Sequence, residues 1–194
     1  MKNNPLIRAT LLLLAAAVSC LGQDSNGLKN ATVLLIRHAE KPESGPDLSP
    51  AGVARADAYV KYFGDFQVAG QPLKLDSLFA AADSKNSHRP RKTQEPLSKA
   101  LNLPLDTTFK DKAPELLAAE LKSKPHGPEI LLCWHHGKIP ALISALGGDP
   151  GVLLPDGKWP EAEFGWVIEL RYDGDGKLTT NQCQRIQENI ALPQ

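Results

Sequence analysis

The sequence predicts an α/β fold with three layers, in which helices cover both faces of a mostly parallel central sheet. Short runs of apolar and β-branched residues alternate with amphipathic helical segments, which is the pattern of α/β proteins. Residues 32–36 and 130–134 are apolar almost throughout, as in strands buried on both faces. From residue 164 onward the order changes, because two strand-like runs flank a turn sequence, and this predicts a late antiparallel hairpin.

Length and composition fit one folded domain. The chain has 194 residues, of which 42% are hydrophobic and 23% are charged, and these are ordinary values for a globular protein. Lys and Arg number 22, as do Asp and Glu, so the formal net charge at pH 7 is 0. A nucleic-acid binder that neutralises a row of phosphates needs a basic surplus, so this class is disfavoured.

The amino-terminal segment, residues 1–25, has the pattern of a signal peptide. Lys2 and Arg8 precede an apolar run over residues 9–18. A run of about ten apolar residues suits the core of a signal peptide and is too short to span a hydrocarbon layer of ~30 Å. The polar residues that follow at once make a buried amino-terminal helix the weaker interpretation. We therefore expect an exported, bacterial protein whose residues 26–194 form a single domain.

The sequence Ala-Val-Ser-Cys at residues 17–20 resembles a bacterial lipobox. In that motif the cysteine, which is Cys20 in this chain, is lipidated and becomes the new amino terminus, which anchors the protein to a membrane. Cleavage nearby, for example after Gly22, would instead give a free periplasmic protein. The lipoprotein is the favoured alternative of the two.

The first predicted strand, Thr32 to Ile36, leads through a Pro- and Gly-rich loop to a predicted helix. Ser49 and Pro50 are typical of the N-cap and first position of a helix. Four apolar residues then recur at spacings of three and four, which predicts the buried helix face: Val53, Ala56, Val60 and Phe63.

The remaining elements follow in alternation. The apolar patterns predict a strand over 77–82, a helix over about 92–101, a short strand over 107–109, a helix beginning at Pro114, a strand over 129–134 and a helix over 139–146. The late hairpin is predicted from strands 166–170 and 178–180, joined by Asp-Gly-Asp-Gly at 173–176. Of the two cysteines outside the signal segment, Cys133 lies in an apolar strand and is expected to be a buried free thiol; Cys183 does not by itself indicate a disulfide.

Three predicted strand ends carry basic residues. Arg37-His38 ends the first strand, His88-Arg89 follows the second, and His135-His136 ends another. Ligands gather at the carboxyl ends of parallel strands. Guanidinium groups bind tetrahedral oxyanions through forked hydrogen bonds, and an imidazole fixed by a hydrogen bond at one nitrogen can act as a nucleophile through the other.

These segments resemble the histidine phosphatase superfamily, whose phosphoglycerate mutase-like branch opens with a strand followed by an Arg-His signature. The resemblance covers about Thr32 to Gly148 and is closest to small exported members with an Arg-His-Ala-Glu-Lys opening. Four segments carry it: Val33 to Lys41, Leu48 to Ala56, Ser84 to Thr93 with the spacing Arg89-x-x-x-Thr93, and Ile130 to Leu142.

The resemblance implies that His38 is the nucleophile that becomes phosphohistidine, with Arg37, Arg89 and a second histidine holding the phosphoryl group. One form of the motif makes that second histidine His136, which we favour, and another form makes it His135. No metal or other cofactor is implied, since the fixed positive charges stabilise the transferred group. The expected partner is a phosphate ester, either a small molecule or a protein.

The residue that protonates the leaving group is left open by the sequence. Glu40 is nearest to His38 in sequence, whereas three other glutamates lie in predicted loops, at positions 115, 161 and 163. The late loop, Asp149 to Glu163, is expected to shape the pocket, with Trp159 or Phe164 lining it. A second hypothesis is a phosphate-binding module that keeps the pocket without efficient turnover, whereas a metal site on His135-His136 is disfavoured because neighbouring residues in a strand point to opposite faces.

Overall fold

The computed structural model describes residues 27–192. The expected signal peptide, including Cys20, lies outside these residues. Within residues 27–192, none of the helices is both long and apolar enough to cross a membrane.

A mixed six-stranded sheet forms the centre of the fold, with strand order β5-β4-β6-β1-β7-β8. β5, β4, β6 and β1 are parallel neighbours, and only β7 runs against the direction of the others. The strand bounds are β1 Thr32–Arg37, β4 Ser77–Ala80, β5 Leu105–Asp106, β6 Glu129–Trp134, β7 Trp166–Arg171 and β8 Gln184–Gln187, and a separate small sheet pairs β2 Gln67–Val68 with β3 Gln71–Pro72. The predicted mostly parallel sheet is therefore confirmed.

Helices pack on both faces of this sheet, as the sequence predicted for a three-layer fold. Their bounds are α1 Pro50–Gly64, α2 Arg89–Leu101, α3 Pro114–Ser123, α4 Ile139–Ala145 and α5 Pro150–Leu153. Alternate residues of β1 point to opposite faces. Leu34 and Ile36 pack with Tyr59 and Phe63 of α1, in one apolar cluster. Val33 and Leu35 lie in the other cluster, with these residues of α3 and α4: Leu117, Leu121, Leu142 and Ile143.

The beginning of α1 was predicted correctly, and its buried face was predicted in part, since Ala56 and Phe63 are buried as expected. The Ser49 side chain accepts a hydrogen bond from Gly52 N, at 3.1 Å, and the helix ends at Gly64. Val53 is about half exposed, whereas Gly52, Arg55 and Tyr59 are buried. A Cβ on Gly52 would lie 2.4 Å from the carbonyl oxygen of Glu40, so the helix approaches the loop after β1 through its glycine. This approach rotates Val53 away from the core.

Two short strands differ from the prediction. The strand expected over 107–109 lies earlier, at Leu105–Asp106, because the Asp106 carboxylate accepts a hydrogen bond from Thr108 N and turns the chain. The turn over 173–176 is present, but residues 178–180 form only one bridge, between Tyr172 and Leu178. The strand that follows β7 in the chain and pairs antiparallel with it is instead β8, so the prediction of a late antiparallel pair was right and its second strand was wrong.

Both cysteines of the described part of the chain are free. Cys133 is fully buried in β6, as predicted, and Cys183 is half-buried.

Candidate active site

The parallel pairing of β1, β6 and β4 brings the predicted basic residues to one edge of the sheet. Arg37, the last residue of β1, is the register partner of Trp134, the last residue of β6. The backbone continues this alignment by one residue, since His38 N donates to Trp134 O at 2.9 Å. β4 ends beside β6 and leads to the amino terminus of α2 at Arg89.

His38 is held as a neutral imidazole. Its side chain is buried, and its Nδ1 lies 2.7 Å from the carbonyl oxygen of Ala39. A carbonyl oxygen only accepts, so Nδ1 carries the hydrogen and Nε2 keeps its lone pair. Burial lowers the pKa of His38 from 6.5 to about 3, helped by the positive charges of Arg37 and Arg89. At neutral pH this residue is therefore unprotonated at Nε2, with a fixed tautomer that suits a nucleophile.

We expect the ring of His38 to stay neutral from pH 5 to pH 8 in the free protein. Between pH 3 and 6.5 the unfolded chain binds more protons at this residue than the folded chain does, so His38 makes stability rise with pH across that window. A ring-nitrogen NMR titration tests the assignment. A midpoint for His38 near 6.5 would contradict the buried, neutral ring.

Thr93 joins the loop after His38 to the beginning of α2. This residue is fully buried; its Oγ1 accepts from Ala39 N at 2.9 Å and donates to Arg89 O at 2.8 Å. One hydroxyl thus fixes the turn that carries His38 against the helix that carries the second arginine. The spacing Arg89-x-x-x-Thr93 in the sequence places the Thr93 hydroxyl one helical turn after Arg89, within hydrogen-bond distance of its carbonyl oxygen.

Replacing Thr93 by valine keeps the volume and removes the hydroxyl. The buried N–H of Ala39 would then lose its partner, so we expect a loss of about 1–3 kcal/mol in the free energy of unfolding. Thr93→Ser keeps the hydroxyl and is the matched control, with an expected cost of roughly 1 kcal/mol for one lost methyl group. Urea unfolding measures both; equal stability of Thr93→Val and the wild type would refute a role for the hydroxyl.

The Arg37 guanidinium is held by a loop near the carboxyl end of the chain. It is buried, and its Nη1 donates to the carbonyl oxygens of Glu161 and Glu163, both at 2.7 Å, with Pro160 O further away at 3.4 Å. The Phe164 ring lies 3.7 Å from the guanidinium carbon. Burial lowers the pKa of Arg37 to about 10, which leaves it charged at neutral pH.

Arg89 is half-buried, and like Arg37 it donates a hydrogen bond from Nη1 to a backbone carbonyl oxygen, that of Gly45, at 3.3 Å. The Nε atoms of Arg37 and Arg89 are buried and have no hydrogen-bond partner among residues 27–192. In a guanidinium group, Nε and Nη2 form one edge, which can bind two oxygens of a tetrahedral anion. Both arginines thus keep a Nε donor available on that edge, and the charges of both lower the pKa of His38.

Of the two adjacent histidines, the structure places His135 beside His38. Their ring centroids are 5.0 Å apart in an edge-to-face arrangement. His136 lies toward Arg37 instead, with its Nδ1 3.3 Å from Arg37 Nη2. His135 has extended backbone angles and His136 begins a 3₁₀ turn, so their side chains diverge. Of the two alternatives that the sequence offered for a second histidine, His135 lies against His38, whereas the favoured one, His136, contacts Arg37.

The structure also shows what the four candidate acids contact. Glu40 is held by Arg55 in a forked ion pair, with Arg55 Nη2 2.8 Å from Glu40 Oε1. Two of the loop glutamates also have partners, since Glu161 pairs with Lys41 at 3.1 Å and Glu163 Oε1 accepts from Gly165 N. The fourth, Glu115, is exposed in the first turn of α3.

Asp111 is a residue that the sequence did not single out. Its carbonyl oxygen accepts from the indole N–H of Trp134 at 3.2 Å, which fixes this segment next to the end of β6. Burial lowers the pKa of His135, and the Asp111 carboxylate opposes that shift. Within residues 27–192, no group of three His, Cys, Asp or Glu side chains is arranged to hold a metal ion.

Comparison with solved structures identifies the fold. No protein-family model matches the sequence, and no curated protein is significantly similar to it. Phosphoglycerate mutase from Plasmodium falciparum aligns with a TM-score of 0.55 and 17% identity, over 85% of this chain and 95% of that chain. A protein assigned as an alpha-ribazole-5'-P phosphatase from Escherichia coli K-12 aligns with a TM-score of 0.54 and 14% identity, over 84% of this chain and all of that chain.

A protein assigned as the phosphohistidine phosphatase SixA, from Agrobacterium tumefaciens, aligns with a TM-score of 0.50 and 18% identity, over 84% of this chain and 99% of that chain. These three structures are similar to this chain over nearly their whole length, so the likeness concerns the complete domain. The chain therefore has the phosphoglycerate mutase-like fold, in which helices cover both faces of a mostly parallel sheet.

Proposed function

We propose that this protein is an exported phosphatase that hydrolyses a phosphomonoester through a phosphohistidine on His38. The observation that carries the proposal is the neutral, buried His38, whose free Nε2 is accompanied by two arginines with unpartnered Nε donors within the described chain. The names of the structural neighbours, which include phosphatases and mutases, support phosphoryl-transfer chemistry in general. Export is proposed from the signal-peptide pattern of residues 1–25, with Cys20 as the lipid anchor.

In the first step, the Nε2 lone pair of His38 attacks phosphorus. A P–N bond forms as the ester P–O bond breaks, and the leaving oxygen takes up a proton from solvent. In the second step, the oxygen of a water molecule attacks the phosphohistidine, and the P–N bond breaks with its electron pair returning to Nε2. One proton of that water stays on the inorganic phosphate, and the other returns to solvent. The enzyme returns to the neutral imidazole that the Ala39 carbonyl fixes.

The proposed roles of the surrounding residues follow from their donors. Arg37 and Arg89 hold the equatorial oxygens through the Nε edges, where fixed charge stabilises the transition state. His135 is the second histidine, since its ring packs against that of His38. His136 accepts from Arg37 Nη2 through Nδ1, because a guanidinium only donates, and it thereby orients Arg37 at the rim of the site.

Hydrolysis of an aryl phosphate by the purified domain, residues 26–194, tests the proposal. We expect steady release of the phenol between pH 5 and 8, unchanged by a chelator. Inorganic phosphate should inhibit competitively, since it occupies the same donors. Absence of turnover in every condition, with or without added metal ions, would contradict a phosphatase.

The second candidate function is a binding module for phosphate or a phosphorylated ligand. A phosphatase needs an acid that protonates the leaving group. Of the four glutamates considered for this role, three already have hydrogen-bond or ion-pair partners and the fourth is exposed, which favours binding without turnover. Calorimetry with inorganic phosphate separates the two functions. Tight binding of phosphate without hydrolysis of any aryl phosphate would support the binding module and reject the enzyme.

A further inference from the structure

We propose that Trp159 is a positioning residue for Arg37 and thereby sets the affinity of the site for the phosphoryl group. The inference rests on the proposed function, in which Arg37 binds that group. It concerns the segment Trp159 to Phe164, which we name the arginine-binding loop and which connects the 3₁₀ turn over Pro155–Gly157 to β7.

The arginine-binding loop holds Arg37 with backbone atoms. Arg37 Nη1 has two short hydrogen bonds, to the carbonyl oxygens of Glu161 and Glu163. Because a guanidinium group is planar and rigid, fixing Nη1 also fixes the direction of the Nε–Nη2 edge. The direction in which Arg37 presents its free donor thus depends on where the loop places two carbonyl oxygens.

Trp159 fixes one of these two carbonyls. Its indole N–H donates to Glu163 O at 2.9 Å, so this single oxygen accepts from both Trp159 and Arg37. The Trp159 ring is buried and packs against Trp166 of β7, with ring centroids 5.5 Å apart. The arginine-binding loop is therefore attached to the sheet through the Trp159–Trp166 pair. Trp159 links this attachment to Arg37, because both residues donate to Glu163 O.

Phe164 covers a face of the same guanidinium. Its ring lies 3.7 Å from the guanidinium carbon, within the range of a cation–π contact. The guanidinium is thus fixed in its plane by two carbonyls and across its plane by one ring. A planar cation held in this way loses little further freedom when it binds an anion, which favours affinity.

The matched pair Trp159→Phe and Trp166→Phe tests the inference. Each variant loses one indole N–H and keeps an aromatic ring; the indole of Trp166 donates instead to Gln187 Oε1, at 2.9 Å. We expect Trp159→Phe to raise the Kd for inorganic phosphate by about three- to tenfold, the equivalent of one lost hydrogen bond, with a matching fall in kcat/KM. Trp166→Phe should change either quantity less than about twofold, since its hydrogen bond does not reach the loop carbonyls.

A spectroscopic measurement separates positioning from general destabilisation. The Nε–H resonance of Arg37 should be sharp in the wild type and in Trp166→Phe, and broadened in Trp159→Phe at a temperature where all three are folded. A purely structural role of Trp159 would lower the Tm without changing the phosphate affinity of the folded protein. Equal phosphate Kd values for the two variants would overturn the inference.

Phe164→Leu keeps the test decisive if Trp159→Phe does not fold. It removes the ring over the guanidinium without removing any hydrogen bond, and we expect a rise in phosphate Kd of about two- to fivefold, as for one partly exposed cation–π contact. An unchanged Kd for phosphate would mean that fixing the Arg37 guanidinium does not set the affinity of the site, and this would overturn the inference. Failure of the proposed function is distinguishable, because the wild type itself would neither bind phosphate nor hydrolyse an aryl phosphate.

Discussion

Replacing His38 by alanine is expected to lower kcat for aryl phosphate hydrolysis by at least about 10³-fold, because the covalent pathway loses its nucleophile. Phosphate binding is expected to change much less, since the Nε donors of Arg37 and Arg89 remain. Kinetics with an aryl phosphate and calorimetry with inorganic phosphate measure the two quantities separately.

His38→Asn makes this experiment sharper. The asparagine amide can occupy the position of Nδ1 and donate to Ala39 O, but it lacks the atom that corresponds to Nε2. Local structure is thereby preserved while the nucleophile is removed, so activity should fall as far as in the alanine variant.

His126→Ala serves as the control, because His126 packs on Phe79 and its Nε2 lies 3.3 Å from Glu120 Oε1, and we expect the activity of this variant to stay close to that of the wild type. Activity of either His38 variant within about tenfold of the wild type would contradict the nucleophile assignment, since loss of a covalent pathway costs far more.

His135→Ala should lower kcat about 10²-fold, whereas His136→Ala should lower it less than about tenfold. The ring of His135 packs against that of His38, and its donor is expected to hold a transferring oxygen, an interaction for which ~10²–10³ in kcat is typical. His136 reaches the site only through Arg37 Nη2. Parallel kinetics on the two adjacent variants make each the control for the other.

The reverse order of effects would return the second-histidine role to His136. An equal, large loss in both variants would mean that the contact between His136 and Arg37 matters as much as the contact with His38. The Nε–H resonance of Arg37 then separates the two causes, since loss of His136 disturbs the orientation of Arg37, whereas loss of His135 removes a donor to the transferring oxygen and leaves Arg37 in place.

The sequence predicted the sheet, its layers and the strand ends that meet, because buried parallel strands are apolar throughout and their carboxyl ends lie at one edge. Arg37, His38 and Arg89 lie at that edge, as their positions after predicted strands indicated. The sequence could not decide between His136, which one form of the motif favoured, and His135, because the residue at which a strand ends and a turn begins is poorly encoded locally. The extended backbone of His135 continues the direction of β6, and the pairing of β6 beside β1 is a tertiary contact.

Other features could not be inferred from residue types at all. Arg37 is held by carbonyl oxygens of the arginine-binding loop, and any residue type supplies a carbonyl. The ion pair of Glu40 joins residues close in sequence, but Arg55 also bonds to Glu188, which lies 133 positions away. The second strand of the late antiparallel pair, β8, has mostly exposed polar residues and therefore has no apolar signal.

Trapping of the phosphoenzyme tests the nucleophilic role of His38 most directly. The domain is mixed with an aryl phosphate, quenched in base within milliseconds, digested and examined by mass spectrometry. In the wild type, we expect phosphate on the peptide that contains His38. In His135→Ala the level of this phosphopeptide should be higher if loss of the second histidine slows dephosphorylation. In His38→Asn no phosphate should be found on this peptide. Phosphate on a different residue, or rapid turnover with no adduct on His38 in either the wild type or His135→Ala, would contradict a phosphohistidine mechanism at this residue.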